Sequence, residues 1–357
     1  MKRNRAIDYE KGIIVAAMVF CHVLQHFGNT GAFPEQNLLI LVVCAMAFST
    51  FVFAYGRSVM LAYYSRDFKK AVPRMLGSVA RSYLAFCISG VAHRVLCGEK
   101  NFSMNLVRKV FFLKDIPGMS EFLAAFAVLG LIALVLFVPL KKLLEHKTAY
   151  WIVTFACFFT SFIPYGMIRD PWLGLLIGSE KFYLFPVLQY FPFFMAGLFV
   201  AKYGMNKKAV WLIVSAVLTA ASSIYTALYG QPGRFPPTLL WLTMPCFGIV
   251  LLDMLAECMN RWTEKRAWAQ KALAPVESMG RNSLYYLLTS NLILFAVSNM
   301  NRMSEYGISV MPYYRENAAF PFNLETGSTP WALFWTLIML LGIGFTAGLH
   351  RKAKKNG

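Results

Sequence analysis

Two histidines one helical turn apart, His22 and His26, sit in an apolar stretch that starts at Gly12. A charged head precedes it, Arg5-Ala6-Ile7-Asp8-Tyr9-Glu10-Lys11. At about 100° per residue, Lys11 and His22 are nearly eclipsed on a helix, and Asp8 and His26 fall within about 40° of the same line. If hydrocarbon begins near Gly12, a rise of about 1.5 Å per residue places His22 about 15 Å deep. Lipid offers an imidazole no hydrogen-bond partner, so the ring must face protein or a water-filled cavity. A neutral imidazole takes a proton from a hydroxyl, the elementary step of general-base catalysis. His22 is therefore the candidate base. His26 reads either as its assistant or as a polar residue at the outer interface. Glu121, in Pro117-Gly118-Met119-Ser120-Glu121, either complements the N-terminus of a helix capped by Ser120 or orients or protonates with a histidine.

A second set of side chains is cationic. Arg5, Lys11, Arg74, Arg81 and Arg281 cluster near the ends of apolar runs and suit a phosphorylated ligand, although each also reads as an ordinary inner-surface residue. Arg74 and Arg81 are seven positions apart and share a helical face. Arg57, about two turns inside an apolar run, reads as a snorkelling anchor or as a cavity-lining residue. Pro73 suits the first turn of the helix that follows the basic stretch Arg66 to Arg74. Asp253 and Glu257, spaced for one helix face, are expected to pair with Arg261 or with a neighbouring helix.

The elements that must position these groups follow from composition. The chain has 357 residues, 58% hydrophobic and 15% charged, with a net charge of +18. Apolar segments near twenty residues recur, each ended by a basic cluster, which excludes an ordinary soluble domain. They predict ten helices at 12–28, 38–62, 76–96, 119–140, 149–166, 183–201, 209–229, 237–259, 282–300 and 330–349. With the N-terminus inside, the cytoplasmic segments hold 24 Lys and Arg and the outer segments hold 9. That bias predicts both termini in the cytoplasm. Anionic membrane lipid and cytoplasmic ligands account for the positive charge, and nucleic acid is not needed as a partner. Seven cysteines without a Cys-x-x-Cys pair read as small apolar residues, so no metal and no disulfide framework is expected. The expected fold is an all-α, polytopic membrane helix bundle forming a single domain over 1–357.

Soluble-enzyme signatures are missing: the sequence has no Gly-x-Ser-x-Gly, no His-Glu-x-x-His and no phosphate loop. Arg5, Ile7-Asp8, Lys11-Gly12 and His22 instead resemble the opening of the family 3 membrane acyltransferases. Three later stretches resemble the same family. They are Tyr190-Phe191-Pro192-Phe193-Phe194-Met195-Ala196-Gly197, Arg234-Phe235-Pro236-Pro237-Thr238, and Met279-Gly280-Arg281-Asn282-Ser283-Leu284-Tyr285-Tyr286-Leu287-Leu288. The last resembles a late-helix motif that ends in histidine in relatives. This stretch carries none, so a second-histidine role does not transfer.

The resemblance implies transfer of an acetyl or short acyl group from cytoplasmic acyl-CoA to a hydroxyl of an extracytoplasmic carbohydrate or cell-envelope glycan. It implies a plasma (inner) membrane location, with acyl-CoA (acetyl-CoA) as donor and a carbohydrate or glycolipid as acceptor. The candidate catalytic set is His22, His26 and Glu121, and the candidate donor-binding set is Arg5, Asp8, Lys11, Arg57, Arg74, Arg81 and Arg281. The oligomeric state is open, a homodimer being one reading. Two alternatives share these features: N-acetyl transfer to an amino sugar, and a multipass transporter or flippase for a glycolipid or small anion.

Overall fold

The computed structural model describes residues 4–98, 100–305 and 327–356. Those residues are mostly helical, with no strand among them. In chain order the α-helices are α1 (Arg5–Phe27), α2 (Glu35–Val59), α3 (Phe68–Leu96), α4 (Met104–Phe111), α5 (Glu121–Val135), α6 (Phe137–Leu143), α7 (Lys147–Phe158) and α8 (Pro171–Ile177). There follow α9 (Val187–Tyr203), α10 (Lys208–Tyr229), α11 (Leu239–Thr243), α12 (Cys246–Lys265), α13 (Ala267–Arg281), α14 (Ser283–Glu305) and α15 (Thr329–Asn356).

Each predicted apolar segment overlaps a helix. Among the described residues, five helical stretches are long and apolar enough to cross a membrane: Glu35–Tyr64, Phe68–Leu96, Lys208–Tyr229, Leu239–Lys265 and Thr329–Gly348. The predicted helix at 119–140 is broken into α5 and α6, bent by 72°, and counted as one span it makes six. Other predicted spans rest on short or more polar helices. α7 has 12 residues and α9 has 17, α1 carries Asp8, Glu10 and Lys11, and α14 holds Thr289, Ser290 and Asn291 mid-helix. Most of the predicted outer loop at 301–329 lies outside the described residues.

The chain folds into two compact units, 1–47 with 92–101 and 257–357, and 48–91 with 102–256. In the first unit α1 packs against α13, α14 and α15. α1 begins at Arg5, earlier than the apolar run, because the Asn4 side chain caps it by accepting from the Ala6 N–H at 3.0 Å. The charged head is thus helical and largely buried: Asp8, Tyr9 and Glu10 are all inside. Gly12 and Gly280 make the α1–α13 crossing close. A Cβ at Gly12 would strike the Val276 carbonyl, and a Cβ at Gly280 would strike that of Asp8. Toward the other end of α1, Val23 and Leu24 pack on Leu294 and Ala332, with Phe20, Phe27 and Trp331 around them.

The second unit is centred on α9, most of whose residues are buried. α9 crosses α2 through a second glycine pair. A Cβ at Gly56 would meet the Phe194 carbonyl, and one at Gly197 that of Phe53. Phe48, Phe126, Phe185 and Tyr190 form an aromatic core beside this crossing. Buried hydroxyls are satisfied on carbonyls, Tyr64 on Ala133 and Tyr150 on Met195, each at 2.7 Å. Two expectations are corrected here. Pro73 lies inside α3, not in its first turn, because the helix starts at Phe68 with the Asp67 carbonyl accepting from Lys70 and Ala71. Lys69, Lys70, Arg74 and Arg81 are therefore helical. Ser120 occupies the N-cap position of α5 but makes no capping bond; its hydroxyl bonds Ser89 at 2.7 Å instead.

Candidate active site

α1 and α14 bring the chemistry of the first unit together. His22 is 7% exposed, and its Nδ1 lies 3.1 Å from Oδ1 of Asn291. A carbonyl oxygen only accepts, so Nδ1 carries the hydrogen and donates it. In the neutral ring the lone pair is then on Nε2. This is the arrangement by which a fixed acceptor sets the tautomer of a base. One turn along each helix, His26 packs against Phe295, with centroids 6.1 Å apart. His93, at the end of α3 that belongs to this unit, meets the same ring at 5.0 Å. The faces His22/His26 and Asn291/Phe295 are both i, i+4 and align along the helix pair. The His26 Nε2 is buried without a hydrogen-bond partner among the described residues.

At the other end of α1 the charges are grouped. Glu277 of α13 receives Arg5 at 4.0 Å and Arg281 at 2.9 Å. Gln270, with its amide turned so that the oxygen faces Arg5, accepts from both guanidinium nitrogens at 3.2 and 3.1 Å. Lys11 lies 3.9 Å from Asp8 on the same helix. Two cations share this one carboxylate: Arg5 reaches it across the α1–α13 crossing, and Arg281 lies one turn along α13 itself. Tyr9 adds a neutral tie, its hydroxyl 3.3 Å from Thr263.

The second unit holds the other predicted residues. Arg57 and Asp253 form a buried ion pair between α2 and α12, each 3% exposed. Arg57 is therefore not a snorkelling anchor, and Asp253 pairs with a neighbouring helix rather than with Arg261. Arg74 and Arg81 are exposed on α3, and the Arg81 Nε donates to the Gly77 carbonyl of its own helix at 3.1 Å. Glu121 is buried at the start of α5.

Sequence reasoning missed Asn291, Glu277 and Phe295. A signal existed for the first: Ser290-Asn291 interrupts an apolar run, and a polar side chain at that depth demands a partner. Glu277 showed only its i, i+4 spacing to Arg281; its partner Arg5 lies across a helix crossing. All seven cysteines are free thiols, the nearest pair being Cys21 and Cys44 with sulfurs 3.8 Å apart.

A family model described as an acyltransferase domain matches residues 4–351, nearly the whole chain. A search of curated proteins found no match. The buried histidine on a charged first helix, the apolar helices and the extent of the family match agree: this chain belongs to acyltransferase family 3 and is a membrane acyltransferase.

Proposed function

We propose that the enzyme moves an acetyl or short acyl group from cytoplasmic acyl-CoA to a hydroxyl of an extracytoplasmic carbohydrate or cell-envelope glycan, with both termini on the cytoplasmic side of the plasma membrane. The supporting observation is the His22–Asn291 bond, which puts the imidazole lone pair on Nε2. In this reading Nε2 takes the hydroxyl proton as the oxygen attacks the thioester carbonyl, forming a tetrahedral oxyanion. The oxyanion collapses, the C–S bond breaks, and the imidazolium returns the proton to the departing thiolate. His26 extends the same face by one turn.

The cations Arg5, Lys11 and Arg281 suit the donor's phosphates. Arg74 and Arg81, exposed on α3, offer further cations of the same kind. Asp8 holds Lys11, and the Arg57–Asp253 pair holds α2 on α12. Glu121 is a buried carboxyl whose role is to orient or protonate.

Purified protein in detergent, given labelled acetyl-CoA and a polysaccharide acceptor, should release coenzyme A and label the glycan as a base-labile ester. An amide product would replace the hydroxyl acceptor by an amine. Solute accumulation in proteoliposomes with no acetyl-CoA consumed would replace the enzyme by a transporter.

A further inference from the structure

Arg234 stands apart from every role given above. Its guanidinium carbon lies 4.6 Å from the ring centre of Phe235, 5.5 Å from that of Phe185 and 5.8 Å from that of Trp241. Its Nε is buried with no hydrogen-bond partner, and no described carboxylate lies within ion-pair distance of it. The aromatic walls are fixed. Trp241 is 1% exposed and donates its indole N–H to the Tyr190 hydroxyl at 3.1 Å. Phe185 stacks on Phe48 at 4.2 Å. Tyr183, edge-on to Phe235 at 5.7 Å, remains exposed.

A half-buried arginine without a counter-charge is a poor brace. Rings on its faces attract the cation but cannot accept from its edge, where the N–H groups lie. That edge matches a carboxylate or a phosphate bidentately. The exposed Tyr183 ring, against Phe235, offers a flat apolar face of the kind on which the C–H side of a sugar ring packs. The charge bias assigns 230–236 to the outer side of the membrane, opposite the basic inner rim.

We propose that Arg234, with Phe185, Phe235, Trp241 and Tyr183, forms a subsite for an anionic sugar, one bearing a carboxylate or a phosphate. Naming that sugar as part of the acceptor rests on the acyltransfer reading above; the binding itself does not. Binding of methyl glucuronide, methyl glucoside phosphate and neutral methyl glucoside to the detergent-purified chain, without acyl donor, is followed by tryptophan fluorescence. The wild type should bind both anionic sugars at least about tenfold more tightly than the neutral one, the scale of one charge-assisted hydrogen bond.

Arg234→Gln should erase that preference, while Arg234→Lys should keep part of it for phosphate and lose it for carboxylate. Equal binding of the three sugars by the wild type overturns the proposal. So does a preference surviving in Arg234→Gln at an unchanged melting temperature. If Arg234→Gln does not fold, Arg234→Lys decides: a full carboxylate preference overturns the proposal, and its loss supports it. Preferential binding by a chain that transfers no acyl group would sink the proposed function and leave the subsite standing. Transfer with no preference would do the reverse.

Discussion

Replacing Asn291 by leucine removes the acceptor of the His22 Nδ1–H while keeping a side chain of similar volume. The bond at 3.1 Å is buried, and a buried neutral hydrogen bond is worth about 1 to 1.5 kcal/mol net. Without it, the neutral ring no longer favours the tautomer with its lone pair on Nε2. About 1.4 kcal/mol corresponds to a tenfold change in population or rate, so kcat should fall about tenfold. That loss is smaller than removal of the base itself, because the imidazole remains. KM for either substrate should stay unchanged, since the substitution acts on the orientation of His22 and not on binding. Asn291→Asp keeps an oxygen in the same place and should retain most of the activity. Initial rates with radiolabelled acetyl-CoA measure these values, with thermal unfolding and far-UV circular dichroism checking that each variant is folded. A folded Asn291→Leu enzyme with wild-type kcat, or one that changes KM instead, would refute the tautomer argument.

Other expectations follow from the packing. Asp253→Leu strands a buried guanidinium and should cost about 3–5 kcal/mol of stability, whereas Arg57→Met combined with Asp253→Leu should recover most of it. Melting temperatures of the two variants in nanodiscs make the comparison, and equal losses would count against the pair. Gly280→Val should prevent α1 from closing on α13 and abolish the folded enzyme, because even a Cβ there meets the Asp8 carbonyl. Size-exclusion behaviour and thermal unfolding report the outcome, and a monodisperse, active Gly280→Val protein would contradict the crossing. Glu277→Gln removes the carboxylate shared by Arg5 and Arg281. It should lower KM for acetyl-CoA severalfold at low ionic strength, with the gain fading as salt is added.

The sequence carried the helical character of the chain and much of its logic, because apolar run length and charge position are local properties. Gly12, Gly197 and Gly280 were visible as elements of family-like motifs. Their reason was not, since it lies in contacts with Val276, Phe53 and Asp8 on other helices. The start of α1 at Arg5 was missed because a charged head reads as solvated until something buries it. The helix at Ala267–Arg281, inside a predicted cytoplasmic segment, supplies that cover. Asp253 was legible as a residue needing a partner on another helix, but Arg57, 196 positions away, was not legible as that partner. The same limit hid Asn291, 269 positions from His22. Spacing along one helix pointed to His22 as the candidate base and said nothing about what holds it.

The central claim is that His22 is the proton acceptor in acyl transfer. It is tested most directly by the transfer rate of His22→Ala with saturating acetyl-CoA and glycan. Removing a general base typically costs about 10²- to 10⁴-fold, so the variant should fall by that factor while keeping its helical content and melting temperature. A folded His22→Ala protein that transfers acetyl groups within a few-fold of the wild-type rate would contradict it.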